Sequence, residues 1–162
     1  MSDLHDFLSR DHARLDALLE TCMRADRNWQ ESYEAFRRGL LRHISIEERV
    51  LFPELRKRRG TTSLEQKLHR DHAALAALLV PPPSPAEIRQ IAAILTVHNE
   101  LEERAGGLYD DVESLSGDEL SALMARVHAI PPVRVAPHFD SPLVRNTIEQ
   151  LVREAAATHV VR

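Results

Sequence analysis

Apolar residues recur at intervals of three and four along most of the chain, the period of helices with one buried face. From Asp3 to about Arg24, the residues Leu4, Phe7, Leu8, Leu15, Leu18, Leu19 and Cys22 form one such stripe, with Ser2 as its expected cap. A second pattern starts after Asn28, where Glu31 completes a capping-box-like arrangement, and runs through Phe36, Leu40, Leu41, Ile44, Val50 and Leu55 to Gly60. Pro53 lies inside it and is expected to kink or open its last turns. Ser63 with Gln66 announces a third helix, which Pro81, Pro82 and Pro83 must stop after Val80. Ser84, Pro85 and Glu87 open a fourth, which carries Ile88, Ile91, Ile94 and Leu95 and is expected to reach about Asp111, weakened at its far end by Gly106 and Gly107.

Two more helices follow. Ser116 with Glu119 opens one to about Ile130, and Ser141-Pro142 opens the last, whose Leu143, Val144, Ile148, Leu151, Val152 and Ala155 make an apolar face. The Pro-rich stretch 131–142 between them reads as a linker that lets the tail fold back across the bundle or reach a partner. Short connections make sequential helices antiparallel neighbours, so the expected fold is all-α: an up-down-up-down four-helix bundle with additional C-terminal helices. The bundle is assigned to residues 1–115, and residues 116–162 form a helical extension packed on or near it.

The helical pattern contains an internal repeat. RDHARLDALL at positions 10–19 returns as RDHAALAALL at 70–79, identical at eight of ten positions. Downstream of each copy stands a histidine followed by two glutamates and an arginine: His43, Glu47, Glu48 and Arg49, then His98, Glu102, Glu103 and Arg104. Residues four apart lie one turn above each other on a helix, so His43 with Glu47 and His98 with Glu102 can each reach one ion beside that face. The face points inward, because Phe36, Leu40, His43, Glu47 and Leu51 step along one stripe, as do Ile91, Ile94, His98 and Glu102. Carboxylates and imidazoles in core positions must satisfy one another or bind cations. Two readings meet that demand: a hydrogen-bonded polar core, or a dinuclear metal site in which each carboxylate serves two ions.

Composition narrows the function classes. The net charge of −4 with no long run of one sign argues against nucleic acid or an anionic membrane as partner. The densest basic stretch, Arg56 to Arg59, precedes Gly60 at a helix end, where cations suit the negative pole of the helix dipole. No N-terminal segment has the apolar core of a signal peptide and no apolar run approaches a membrane span, so the protein is expected in the cytoplasm. The single cysteine, Cys22, excludes an intramolecular disulfide and a thiolate metal cluster. No nucleophile motif or phosphate loop supports a classical enzyme, which leaves any chemistry to a metal.

The order His, HxxxE, His, HxxxE across four helices, with HISIEERVLFPEL at positions 43–55, resembles the hemerythrin-like HHE cation-binding family over about residues 3–113. The resemblance implies a carboxylate-bridged centre of two iron ions: His12 and His43 on one, His72 and His98 on the other, Glu47 and Glu102 bridging. It also implies binding of, or reaction with, O2, peroxide or NO. The oxygen-carrying members have a further histidine one turn before the third-helix ligand, where this chain has Leu68; His69 is the additional candidate. Some relatives space the last carboxylate five residues after its histidine, which makes Glu103 the reserve for Glu102. The absent histidine favours redox chemistry or sensing over oxygen carriage. The alternatives are an iron-sensing or regulatory module acting through a protein partner or as a homodimer by way of the C-terminal helix, and a bundle binding another divalent metal such as zinc or manganese.

Overall fold

The computed structural model describes residues 3–25, 27–115 and 117–161; the caps expected at Ser2 and Ser116 lie outside these residues. The helices are α1 (Asp3–Met23), α2 (Trp29–Ile46), α3 (Phe52–Arg59), α4 (Ser63–Leu78), α5 (Pro85–Glu103), α6 (Leu108–Glu113), α7 (Gly117–Ala129) and α8 (Pro142–Ala157), with a π-helical turn at Glu47–Leu51 joining α2 to α3. No strand occurs among the described residues, and no helix there is long and apolar enough to cross a membrane. The chain is an all-α bundle with extra C-terminal helices, as the periodicity predicts.

Four helical arms form the bundle: α1, the run from α2 through α3, α4 and α5, with α1 packed on α2 and α5, and α5 on α4. Two apolar layers fill it. One joins Leu4 and Leu8 of α1 to Ile46, Leu51, Leu68, Leu101 and Tyr109. The other joins Leu15 and Leu19 to Phe36, Leu40, Leu75, Leu78, Ile91 and Leu95. The start of α1 therefore meets the end of α2, and the start of α4 meets the end of α5, so each pair is an antiparallel hairpin. Between the layers each arm places a histidine: His12 between Leu8 and Leu15, His43 between Leu40 and Ile46, His72 between Leu68 and Leu75, and His98 between Leu95 and Leu101.

Two helix starts are capped as expected, and other helix ends differ. Ser84 forms the full capping box with Glu87, and the Ser141 hydroxyl accepts from the Val144 amide. The third helix is capped one residue earlier than expected, by Thr62, whose hydroxyl accepts from the Glu65 amide at 3.1 Å, and it ends at Leu78 rather than Val80. Asn28 makes no side-chain cap; it takes a left-handed conformation with φ 64° at the start of α2. Pro53 does not break its arm. The π-helical turn just before it absorbs the proline ring's need for room at the preceding turn.

The fourth arm is not continuous to Asp111. It stops at Glu103 and restarts as α6 at Leu108. A Cβ on Gly107 would lie 2.5 Å from the Leu101 carbonyl oxygen and 2.8 Å from those of Glu102 and Arg104, so only glycine allows the chain to fold so closely over the end of α5. Gly106, with φ 73°, supplies the left-handed turn beside it. The basic stretch at the end of α3 is used for pairing across elements: Arg56 with Glu65, Arg58 with Glu119 and Arg59 with Asp111.

The extension folds back. Leu123, Val127 and Ile130 enter the first apolar layer, and the Arg42 guanidinium donates to the Ile130 carbonyl. The Pro-rich linker crosses the far end of the bundle, where the Phe139 amide donates to the Val80 carbonyl at 3.0 Å and His138 pairs with Glu34. Helix α8 then lies along α4, held by Ile148 in the second layer and by Arg70 with Glu154.

Candidate metal centre

The spacing of four turns His43 and Glu47 into one face, and His98 and Glu102 into another, and antiparallel packing brings these faces together with His12 and His72. Their donor atoms form two groups of four, His12, His43, Glu47 and Glu102, and Glu47, His72, His98 and Glu102, every residue buried. The two glutamates belong to both groups. Glu47 offers Oε1 to His43 Nε2 at 3.2 Å and Oε2 to His72 Nε2 at 3.1 Å. Glu102 offers Oε2 to His12 Nε2 at 3.1 Å and Oε1 to His98 Nε2 at 2.9 Å. Within each group the imidazole nitrogens also face each other, His12 and His43 at 3.0 Å and His72 and His98 at 3.2 Å.

The outer nitrogens of the four rings are all engaged by carboxylates. The His43 Nδ1–H donates to Asp11 at 2.8 Å, that of His98 to Asp71 at 3.2 Å, that of His72 to Glu48 at 2.7 Å, and that of His12 to Glu103. Each carboxylate fixes the proton on Nδ1 and leaves the Nε2 lone pair aimed at the centre, the orientation that metal-binding imidazoles need. The repeat explains the symmetry: Asp11 and Asp71 each precede one RDHA histidine and serve the histidine of the facing helix, while Glu48 and Glu103 each follow a shared glutamate. Asp11 also accepts from Arg14, so it holds a surface ion pair and the imidazole at once.

The two reserve candidates stand apart from the inner groups. His69 is exposed and its ring nitrogen faces Glu48 at 2.9 Å, because three residues of offset on α4 leave it turned by about 60° from His72, toward the outside of the bundle. Glu103, one position past Glu102 on α5 and turned about 100° from it, lies at the outer edge of His12. Neither contributes to the two donor groups.

Tyr109 was not foreseen. Its hydroxyl lies 3.1 Å from His12 Nε2, 3.1 Å from Glu47 Oε1, 3.3 Å from Glu102 Oε2 and 3.5 Å from His43 Nε2. Nothing in the helical spacing pointed to it, since it enters from α6 after the break at Gly107. The only sequence signal was the Gly106-Gly107 pair itself, which announces a change of direction just before an aromatic residue. The ring stacks on His12 with centroids 5.8 Å apart. In the other half Phe52 stacks on His72 at 5.7 Å, so a phenyl ring occupies the matching place without a hydroxyl.

Electrostatics describes what the groups demand. Burial works to lower the His43 pKa, but Glu47 and Asp11 outweigh it and raise it to about 10. His98 is likewise raised to about 10 against burial, by Glu102 and Asp71, and His12 and His72 are raised as well. Burial would raise Glu47, but His43 and His72 hold it well below the ordinary carboxylate range. Glu102 is lowered in spite of burial and of the nearby Glu47 charge, by His98 and His12. Positive charge is wanted in this layer, whether as protons on imidazoles or as metal ions. The donor set fits metal, because Glu47 Oε2 and Glu102 Oε1 are buried with no hydrogen-bond partner, a cost that a cation between them and the imidazoles would remove.

Comparison with known proteins gives one match. The family model described as the hemerythrin HHE cation binding domain matches residues 3–125. No curated protein and no solved structure matched the chain.

Proposed function

This chain belongs to the hemerythrin HHE cation binding domain family, and from that premise we propose that it is a non-haem di-iron protein that binds or reacts with O2, peroxide or nitric oxide in a redox or sensing role. The observation that carries this reading is the sharing of Glu47 and Glu102: Glu47 turns one oxygen to His43 and the other to His72, and Glu102 turns one to His12 and the other to His98. Bridging carboxylates between paired imidazoles on facing helices are the donor arrangement of di-iron bundles. His12 and His43 would hold one ion and His72 and His98 the other, with the glutamates spanning both. Bound iron would supply the redox chemistry.

The chain's own residues do the rest. Asp11, Asp71, Glu48 and Glu103 hold the imidazoles in register, and the apolar layers above and below exclude bulk water. Leu68 is fully buried in the first layer, so no imidazole comes from that turn, which supports redox or sensing chemistry over reversible carriage. Elemental analysis of protein purified under reducing, iron-replete conditions tests the reading, with electronic spectra before and after exposure to oxygen. Two irons per chain and a spectrum that changes with oxygen are expected. Protein without iron would overturn it, and stoichiometric zinc or manganese would favour a bundle for that metal.

A second reading, an iron-sensing module acting through a protein partner, is favoured by one contact chain. The Lys67 ammonium donates both to the Ala155 carbonyl at the end of α8 and to Asp71, which in turn holds His98. Metal removal should then loosen α8. Equal hydrogen exchange across residues 141–158 with and without iron would argue against it.

A further inference from the structure

The two halves of the centre match in every donor except one. His12 and His72 both carry an aromatic ring stacked against them, Tyr109 on the first and Phe52 on the second. The Tyr109 hydroxyl is fully buried and lies 3.1–3.5 Å from all four donors of the first group: His12, His43, Glu47 and Glu102. Three edges of that group measure 3.0 Å (His12–His43), 3.2 Å (His43–Glu47) and 3.1 Å (Glu102–His12). Donors at right angles around one ion, each about 2.1 Å from it, stand about 3.0 Å apart. Four donors linked in sequence at this spacing and all within 4.8 Å of one another, with a fifth at nearly the same distance from every one of them, fit the base and apex of a square pyramid.

A hydrogen-bonding role leaves that geometry unexplained. A phenol hydroxyl donates one hydrogen bond and accepts at most two, yet the oxygen lies 3.1–3.5 Å from two carboxylate oxygens and two imidazole nitrogens. A cation at the centre of the four uses all five atoms at once. The second group has the same base, with edges of 3.2, 3.1 and 2.9 Å, but Phe52 brings no oxygen to its apex.

Resting on the di-iron reading above, we propose that Tyr109 is a fifth protein ligand to the ion held by His12 and His43, and that Phe52 leaves the corresponding position of the ion held by His72 and His98 open, so that an exogenous ligand binds on that side. The phenol releases its proton to solvent as the metal–oxygen bond forms, as coordinating side chains do. The asymmetry comes from the local folding of the fourth arm. The close turn at Gly107 brings α6 back over the end of α5 and drops Tyr109 into the bundle, whereas the second arm passes Phe52 through an unbroken helical run.

The test uses the full chain loaded with iron and oxidised to the ferric state, examined by metal analysis and by resonance Raman with visible excitation. Tyrosinate ring modes are expected. They should persist in Tyr33→Phe, which removes the other tyrosine at the far end of the bundle, and vanish in Tyr109→Phe when compared per iron bound. Added azide should bind while the tyrosinate modes remain. Iron-replete protein without tyrosinate modes would overturn the proposal and leave the di-iron reading standing, as would modes lost in Tyr33→Phe instead. Loss of the modes on azide binding would overturn the assignment of the open side. Should Tyr109→Phe fail to fold, ring-deuterated tyrosine in the Tyr33→Phe chain decides the matter, because the modes must shift. A chain that retains no iron defeats the di-iron reading itself, and the ligand assignment with it.

Discussion

Lys67 donates to Asp71 at 2.6 Å across one turn of α4, and the pair links the end of the C-terminal helix to the imidazole of His98. Asp71 is almost wholly buried, so its charge needs both partners. Lys67→Met removes the ammonium and leaves a buried carboxylate with one imidazole, a change expected to cost about 3 kcal/mol of stability in urea unfolding. With Asp71 drawn toward His98 alone, metal affinity should fall about tenfold, the usual effect of losing an outer partner. A variant as stable as the parent would show that the C-terminal helix is not tied to the centre through this residue.

The protonation of the centre gives a pH dependence of defined sign. His43 and His98 are raised to about 10 from an ordinary 6.5, so in the metal-free chain their stabilising contribution is complete below pH 6.5 and is lost as pH rises toward 10. Glu47 and Glu102 are held below an ordinary 4.5, so theirs is present above that value and is lost in acid. Iron needs the same imidazole lone pairs without protons, so its affinity rises over the interval in which the metal-free chain weakens. Calorimetry of chelator-treated and iron-loaded protein at pH 6.5 and 9 should show the metal-free Tm falling and the gain from iron growing. A metal-free chain that becomes more stable at pH 9 would contradict this account.

Substitution separates the two populations of histidine. His43→Ala removes a donor shared with Asp11 and Glu47 and should lower iron content to less than half of the parent's, about the level expected when one ion is lost outright and its bridges are disturbed. His138 pairs with Glu34 and approaches the Val80 carbonyl at the far end of the bundle, and His138→Ala should bind iron as the parent does. Equal metal content in both variants would show that the inner cluster is not where iron binds.

The contrast between these residues also shows what the chain states openly and what it withholds. His12, His43, Glu47, His72, His98 and Glu102 were legible because a duplicated motif placed polar side chains on the apolar stripe, and a stripe at helical period has one direction to face. The same logic sets aside His69, three positions before His72 and turned about 60° from it, and Glu103, one position past Glu102 and turned about 100°. Asp11 and Asp71 were harder. One step from a donor, they project to a neighbouring face where spacing favours a surface ion pair, and only the approach of the facing helix makes them partners of its imidazole. Tyr109 was not legible, because a uniform period carried through Gly106 and Gly107 predicts one long helix, whereas a backbone too close for a Cβ produces two.

That backbone approach yields the sharpest structural prediction. Gly107→Ala sets a methyl group 2.5 Å from the Leu101 carbonyl oxygen and 2.8 Å from those of Glu102 and Arg104, and these are main-chain atoms at the end of α5 that cannot rotate away. The turn must open, at a cost of about 3 kcal/mol, near the upper end for inserting one carbon into a packed site. Opening it moves α6, whose Leu108, Tyr109 and Val112 are buried in the first apolar layer, and lifts the phenol from the four donors. Gly106→Ala is strained for a different reason, its φ of 73°, and nothing lies within 4 Å of the added carbon. It should cost only about 1 kcal/mol and leave Tyr109 in place. Urea unfolding of the two variants, with the tyrosinate Raman signal of their ferric forms, separates crowding from torsional strain. The signal should weaken or vanish in Gly107→Ala and survive in Gly106→Ala, whereas an equal signal in both would mean that the turn does not position the ring.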